Sequence, residues 1–113
     1  MTVVHSLDQA RAAVAVATAP LALESPPAAS ASLGIGWWRN LLTAIAAEFP
    51  NRAVRGVLDC GDAPGHALAA IAAGVQTVRL QGPPELLDKI ADIARQSGAE
   101  VVRVAAGTRR APY

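Results

Sequence analysis

Residues 53–82, AVRGVLDCGDAPGHALAAIAAGVQTVRLQG, decide the fold that this sequence predicts. The stretch starts with a strand-like apolar run and passes through a polar turn into a helical run. It then returns through Gly74 to a second strand-like run. A glycine directly after a helix is a usual stop, because it adopts the left-handed backbone conformation without strain. The stretch therefore predicts a complete βαβ unit with parallel strands and a right-handed crossover.

The same unit recurs along the chain. Arg55, Arg79 and Arg103 follow one another at intervals of 24 residues, and a valine precedes each of them. The predicted helix stops Gly74 and Gly98 keep the same interval. A period of this length is typical of stacked supersecondary units. The step resembles the strand–helix repeat of (β/α)-barrel proteins in general, and it identifies no particular family.

The whole chain, 1–113, is predicted to be one α/β domain with a short, mainly parallel sheet of four to five strands. Short strands are expected at 2–5 and 21–24, and a helix is expected after Ser6, with Gln9 completing a capping box. Residues 25–36 contain two prolines and many small side chains, which predicts a flexible loop. A helix is expected at 37–49, and 107–113 is predicted to be a loose tail.

Alternation along the strands is predicted to place Arg55, Arg79, Arg103 and Asp59 on one face of the sheet. Two architectures fit this pattern. One is a half-barrel-like sheet with all helices outside and a partly polar concave face. The other is a flavodoxin-like doubly wound sheet in which arginines near the strand ends reach water.

Composition and charge exclude several classes of function. Hydrophobic residues make up 52% of the 113, charged residues make up 17%, and the net charge is +1. This balance gives no electrostatic reason to expect a nucleic acid or membrane partner. A single cysteine cannot form an internal disulfide, so a cytoplasmic location is expected.

The expected functional site lies beyond the carboxyl ends of the strands, where parallel α/β proteins bind their ligands. The catalytic candidates are acidic or imidazole side chains near that edge: Glu24, Asp59, Asp62 and His66. The ligand-binding candidates are Ser25, Arg55, Cys60, Gly61, Arg79, Gln81, Gly82 and Arg103.

Each candidate also has a structural interpretation. Asp59 is favoured as a carboxylate that pairs with Arg55 or Arg79, and Asp62 as the N-cap of the next helix. Cys60 is expected to be buried rather than nucleophilic. No metal and no cofactor are predicted, because the Asp62–His66 spacing matches no zinc signature and the chain has no complete phosphate-binding glycine motif.

The leading functional hypothesis is a small cytoplasmic binding module that takes an anionic small molecule at the strand carboxyl edge. Self-association is also expected, since only one of the adjacent residues Trp37 and Trp38 can face its helix's core. One alternative is a small enzyme of lyase or isomerase type that uses Asp59, Asp62 and His66. The other is a non-catalytic module for protein interaction or assembly.

Overall fold

The computed structural model describes residues 2–105, in which strands and helices alternate. The prediction for the tail at 107–113 lies outside these residues. The five strands are β1 (Thr2–Val3), β2 (Leu21–Glu24), β3 (Val54–Asp59), β4 (Thr77–Gly82) and β5 (Glu100–Ala105). The five helices are α1 (Leu7–Val16), α2 (Ala29–Ser32), α3 (Ile35–Glu48), α4 (Pro64–Ala72) and α5 (Pro84–Gln96). No helix within this part of the chain is long and apolar enough to cross a membrane.

The sheet is entirely parallel, and its spatial order follows the chain from β1 to β5. A doubly wound sheet reverses its strand order at a switch point, whereas this sheet does not. The α/β prediction of a parallel sheet built from βα repeats is therefore confirmed, and the strand order excludes the flavodoxin-like alternative. Right-handed crossovers in sequential order place the connecting helices on one side of the sheet. We call the other side, which carries the buried residues Glu24, Val57 and Asp59, the second face.

The third strand divides the sheet into two ladders. Its first four residues pair with β2, from Leu21↔Val54 to Glu24↔Val57. Its last two residues pair with β4, as Leu58↔Val78 and Asp59↔Arg79. The longer helices follow the same division, because α1 packs on α3 and α4 packs on α5, while the short α2 contacts α4 across it. β3 is thus the strand that joins the two halves of the molecule.

The apolar core lies between the sheet and the helices. Leu23, Leu58 and Leu80 contribute fully buried side chains from three neighbouring strands. Trp38 and Ile45 meet this layer from α3, each with 1% or less of its surface exposed. Burial of such side chains is the main favourable contribution to folding, about 25 cal/mol for each Å² of apolar surface.

The helix ends confirm most of the predicted signals. The Ser6 hydroxyl accepts the Gln9 N–H at 3.1 Å. The Gln9 side chain accepts the His5 N–H at 2.7 Å, whereas a capping box would use the Ser6 N–H. Gly74 and Gly98 both have the left-handed φ expected of helix stops, +94° and +72°. The prediction for Asp62 is wrong, because Ala63 occupies the N-cap of α4 and makes no side-chain cap.

Candidate functional site

Asp59 is the central residue at the carboxyl edge of the sheet. The residue is 2% exposed, and its Oδ1 accepts the N–H of Ala28 at 3.0 Å and that of Gly61 at 2.8 Å. The Asp59 N–H in turn donates to Ser25 Oγ at 2.8 Å. One aspartate therefore fastens the loop after β2 to the turn after β3, in agreement with a structural role.

The segment predicted as a loop at 25–36 contains the short helix α2, which contacts α4, and its last two residues belong to α3. Ala28 has a left-handed φ of +53°, and Ser30 Oγ lies 3.2 Å from His66 Nδ1. The structure therefore brings a hydroxyl beside the predicted candidate His66. Ser30 is absent from the sequence-based candidates, because no spacing in the sequence connects two residues of different loops.

Buried charges on the second face form a small network around Arg79. Its Nε lies 3.0 Å from Glu24 Oε1 and 4.0 Å from Asp59 Oδ2. Within residues 2–105 this Nε–H makes no hydrogen bond of good geometry, so the Glu24 contact is a charge contact at 3.0 Å. Both carboxylates are almost fully buried. The predicted pairing of Asp59 with Arg79 is confirmed.

The sheet register separates the three repeated arginines. Asp59 stands opposite Arg79, so Arg55 lies four residues away along its strand and reaches Glu100 instead, at 2.9 Å. Arg103 stands opposite Leu80, on the helix side, where it pairs with Asp88. The prediction that Arg103 shares a face with Arg55 and Arg79 is wrong, because β5 pairs with β4 one residue out of step with the sequence repeat.

Cys60 is a buried thiol with 1% of its surface exposed. Burial raises its pKa to about 11, and the neighbouring Asp59 charge acts in the same direction, while a Ser30 hydrogen bond acts against them. The protonated thiol is therefore the dominant form at neutral pH, which disfavours a nucleophilic role. This agrees with the expected burial of Cys60.

The other candidates at this edge lie in the turn after β3 or at the end of β4 beside it. The Gln81 N–H donates to Gly61 O at 2.8 Å, Gly82 is buried, and Asp62 is exposed. Between residues 2 and 105 no three His, Cys, Asp or Glu side chains come together in a group that could hold a metal ion.

A concave region lies at the opposite end of the sheet, where β3 and β4 separate. It has a volume of about 450 Å³ and is bounded by α3 on one side and by residues 74–77 on the other. Leu42, Ala46 and Phe49 provide an apolar wall from α3 and its C-terminal end. We call this region the split-sheet cleft. Its volume falls within the range of about 300–1,000 Å³ that is usual for small-molecule sites.

Polar groups of the split-sheet cleft are positively charged or neutral. Arg39, Arg52 and Arg55 line it with Thr43, Gln76 and Thr77, and none of its lining residues is acidic. Arg55 pairs with Glu100, and Arg52 donates to the Ala17 carbonyl. Arg39 is exposed and forms no ion pair with another residue of the described chain. The cleft is therefore a positively charged, partly apolar region.

The sequence gives no local signal for this cleft. Arg39 lies off the apolar stripe of its helix, which by itself indicates only a solvent-facing position. Arg52 belongs to a turn before β3, and Arg55 was expected at the other site. What brings them together is the point where one ladder ends and the next begins, and that point depends on the pairing of distant strands.

No protein family matches this chain, and no curated protein has a significant sequence match to it.

Proposed function

We propose that this protein is a non-catalytic α/β module that binds a small anionic molecule in the split-sheet cleft. The observation that carries the proposal is the convergence of Arg39, Arg52 and Arg55 on a cleft whose lining contains no carboxylate. Arginine presents a planar set of donors that matches carboxylate or phosphate oxygens in pairs. Such a ligand would add the negative charge that the cleft lacks.

The cleft also suits a ligand because its arginines are not held in strong pairs. The Arg55 and Glu100 side chains are 50% and 64% exposed, and ion pairs as exposed as this contribute at most about 1 kcal/mol. An incoming anion can therefore replace Glu100 at small cost. Arg39 needs no exchange at all, since it has no ion-pair partner among residues 2–105.

The carboxyl edge of the sheet, where the sequence analysis expected the anion, offers a weaker basis. Arg79 already lies beside two buried carboxylates, Glu24 and Asp59. Asp59 Oδ1 already accepts two backbone N–H groups. These contacts give the edge a structural explanation. Catalysis by Glu24, Asp59, Asp62 or His66 stays a prediction, and it is weakened because Glu24 and Asp59 already have structural contacts. The cytoplasmic location is kept as part of the proposal.

Thermal unfolding in the presence of phosphate, sulfate, citrate and acetate tests this function. A ligand present at 100 times its Kd stabilises a folded protein by about 2.7 kcal/mol, which is a shift of several degrees for a domain of this size. We expect at least one of the anions to raise the Tm selectively. Arg39→Ala should weaken the binding of that anion about tenfold or more, since the substitution removes hydrogen bonds to a charged group.

Arg95→Ala is the matched control. It also removes one exposed arginine, but Arg95 lies on α5 beside Asp92 and away from the cleft. Equal losses in the Arg39 and Arg95 variants would show that the effect is only one of net charge. If none of the anions changes the Tm, the proposed function is wrong.

Assembly through β5 is the second candidate, and the exposed end of the sheet favours it. β5 has six residues and pairs with β4 on one side, while residues 2–105 provide no neighbour on its other side. A strand edge of this kind can pair with a second copy of the chain. Light scattering after size exclusion should then report a dimer in the native protein and a monomer in Val102→Lys. A native monomer at high concentration would remove this candidate.

A further inference from the structure

The strands on the two sides of the split-sheet cleft direct backbone groups into it. The carbonyls of Ala53 and Val57 accept N–H groups from the β2 side, so the odd-numbered residues of β3 face β2. The Cys60 N–H donates to Arg79 O, so the even-numbered residues face β4. Backbone groups alternate in this way along any strand of a parallel sheet.

Two residues of β3 therefore face β4 where the ladder is missing. Val54 and Gly56 are even-numbered and line the cleft, yet the described pairing of β3 with β4 includes only Leu58 and Asp59. On the opposite side, Thr77 faces β3 by the same alternation as Arg79 and also lines the cleft. On this side β4 contributes only Thr77, whose carbonyl already takes part in the Leu58↔Val78 rung, so the unpaired strand backbone at the cleft is that of Val54 and Gly56 in β3.

The wall provided by α3 has the length of a short extended peptide. From Arg39 to Phe49 the helix rises about 15 Å, and a strand of about four residues covers the same distance. The wall is apolar in its middle, at Leu42 and Ala46, and has a free arginine at one end. An extended chain gains affinity from backbone hydrogen bonds and specificity from pockets for alternate side chains.

We propose that the split-sheet cleft binds the carboxyl-terminal segment of an extended peptide, which pairs with the unpaired part of the β3 edge at Val54 and Gly56. The proposal rests on the proposed function and specifies its ligand class. The terminal carboxylate is held by an arginine of the cleft, and peptide N–H and C=O groups pair with Val54 and Gly56. Small anions that lack an amide backbone can bind only to the arginines and form no hydrogen bonds with the strand backbone.

Titration with three peptides tests the ligand class. The probes are N-acetyl-trialanine with a free carboxylate, the same peptide with a C-terminal amide, and a depsipeptide analogue in which backbone N–H groups are replaced by ester oxygens. We expect the free acid to bind most tightly. The amide should bind about tenfold or more weakly, because it lacks the charge, and the depsipeptide about fivefold more weakly for each hydrogen bond lost.

Filling the cleft gives a matched pair of variants. Ala46 and its neighbour Ala47 are both exposed on α3, but only Ala46 lines the cleft. Ala46→Phe should abolish peptide binding, while Ala47→Phe should leave it unchanged. Hydrogen exchange provides a second readout, since peptide binding should slow exchange at the Val54 and Gly56 amides.

The outcomes separate this inference from the function on which it rests. If phosphate or citrate binds through Arg39 while the trialanine acid binds no better than acetate, the peptide inference is overturned and the anion-binding function stands. If acid and depsipeptide bind equally, or if protection appears at β5 instead of the cleft, the inference is also overturned. If neither simple anions nor the peptide acid bind, both proposals fail.

Discussion

Removing the Asp59 carboxylate should detach the loop at 25–36 from the sheet and destabilise the whole domain. In Asp59→Ala the N–H groups of Ala28 and Gly61 lose an acceptor at 3.0 and 2.8 Å. Hydrogen bonds to a charged group are worth about 1.5–3 kcal/mol each. Arg79 also loses one of its two neighbouring carboxylates. Since the two losses share one network and do not simply add, we expect the free energy of unfolding to fall by about 3–5 kcal/mol.

Asp59→Asn should be milder, with a loss of about 1–2 kcal/mol. The amide oxygen keeps the shape and can still accept the two N–H groups, but the charge is gone. The neighbouring Asp62→Ala is the control, because Asp62 is exposed and does not cap α4, so its effect should stay within about 0.5 kcal/mol.

Urea unfolding followed by tryptophan fluorescence measures these differences, because Trp38 is fully buried in the core. With a slope near 2 kcal/mol per molar urea, a loss of 4 kcal/mol lowers the midpoint by about 2 M. A loss below about 1 kcal/mol in Asp59→Ala would refute the reasoning. Equal losses in the Asp59→Ala and Asp62→Ala variants would do so too.

Two further predictions concern Cys60 and Gly56. Because the folded-state pKa of Cys60 is raised to about 11 from an ordinary value of 9.0, the protonated thiol favours the folded state, and this stability is lost as the pH rises from about 9 to 11. Over that interval the free energy of unfolding should therefore fall by about 2–3 kcal/mol more in the native protein than in Cys60→Ala. Parallel pH profiles of the two proteins would contradict the raised pKa of Cys60. In Gly56→Ala the new Cβ would lie 2.5 Å from Leu42 Cδ1, which should cost about 1–2 kcal/mol, since the end of Leu42 can move toward the cleft. A double-mutant cycle with Leu42→Ala measures the coupling, and additive effects would show that the two groups do not collide.

Local signals in the sequence were sufficient for most elements of the fold. Gly74 and Gly98 end their helices because a left-handed residue is needed there, and Ser6 caps α1 because its hydroxyl reaches the first turn. These are interactions over a few residues, so a pattern can reveal them. β4 starts at Thr77, two residues later than its apolar run suggests, because only the ladder with β5 determines that boundary.

The register of the sheet could not be predicted in the same way. The repeat aligned Arg79 with Arg103, whereas the backbone aligns Arg79 with Val102 and Leu80 with Arg103. A shift of one residue sends a side chain to the opposite face. The pairing of Asp59 with Arg79 could be predicted, because the prediction required only that Arg55 or Arg79 reach the carboxylate. The split-sheet cleft was missed because it follows from where two ladders end.

The division of β3 between two ladders has a consequence for how the molecule opens. The segments before and after this strand meet through the two rungs at Leu58 and Asp59, through the ion pairs Glu24–Arg79 and Arg55–Glu100, and through the contact of α2 with α4. Separation of the two segments therefore requires all of these contacts to break together. A molecule bound in the split-sheet cleft adds one more connection across the division, so its binding should slow amide exchange on both sides of β3 together.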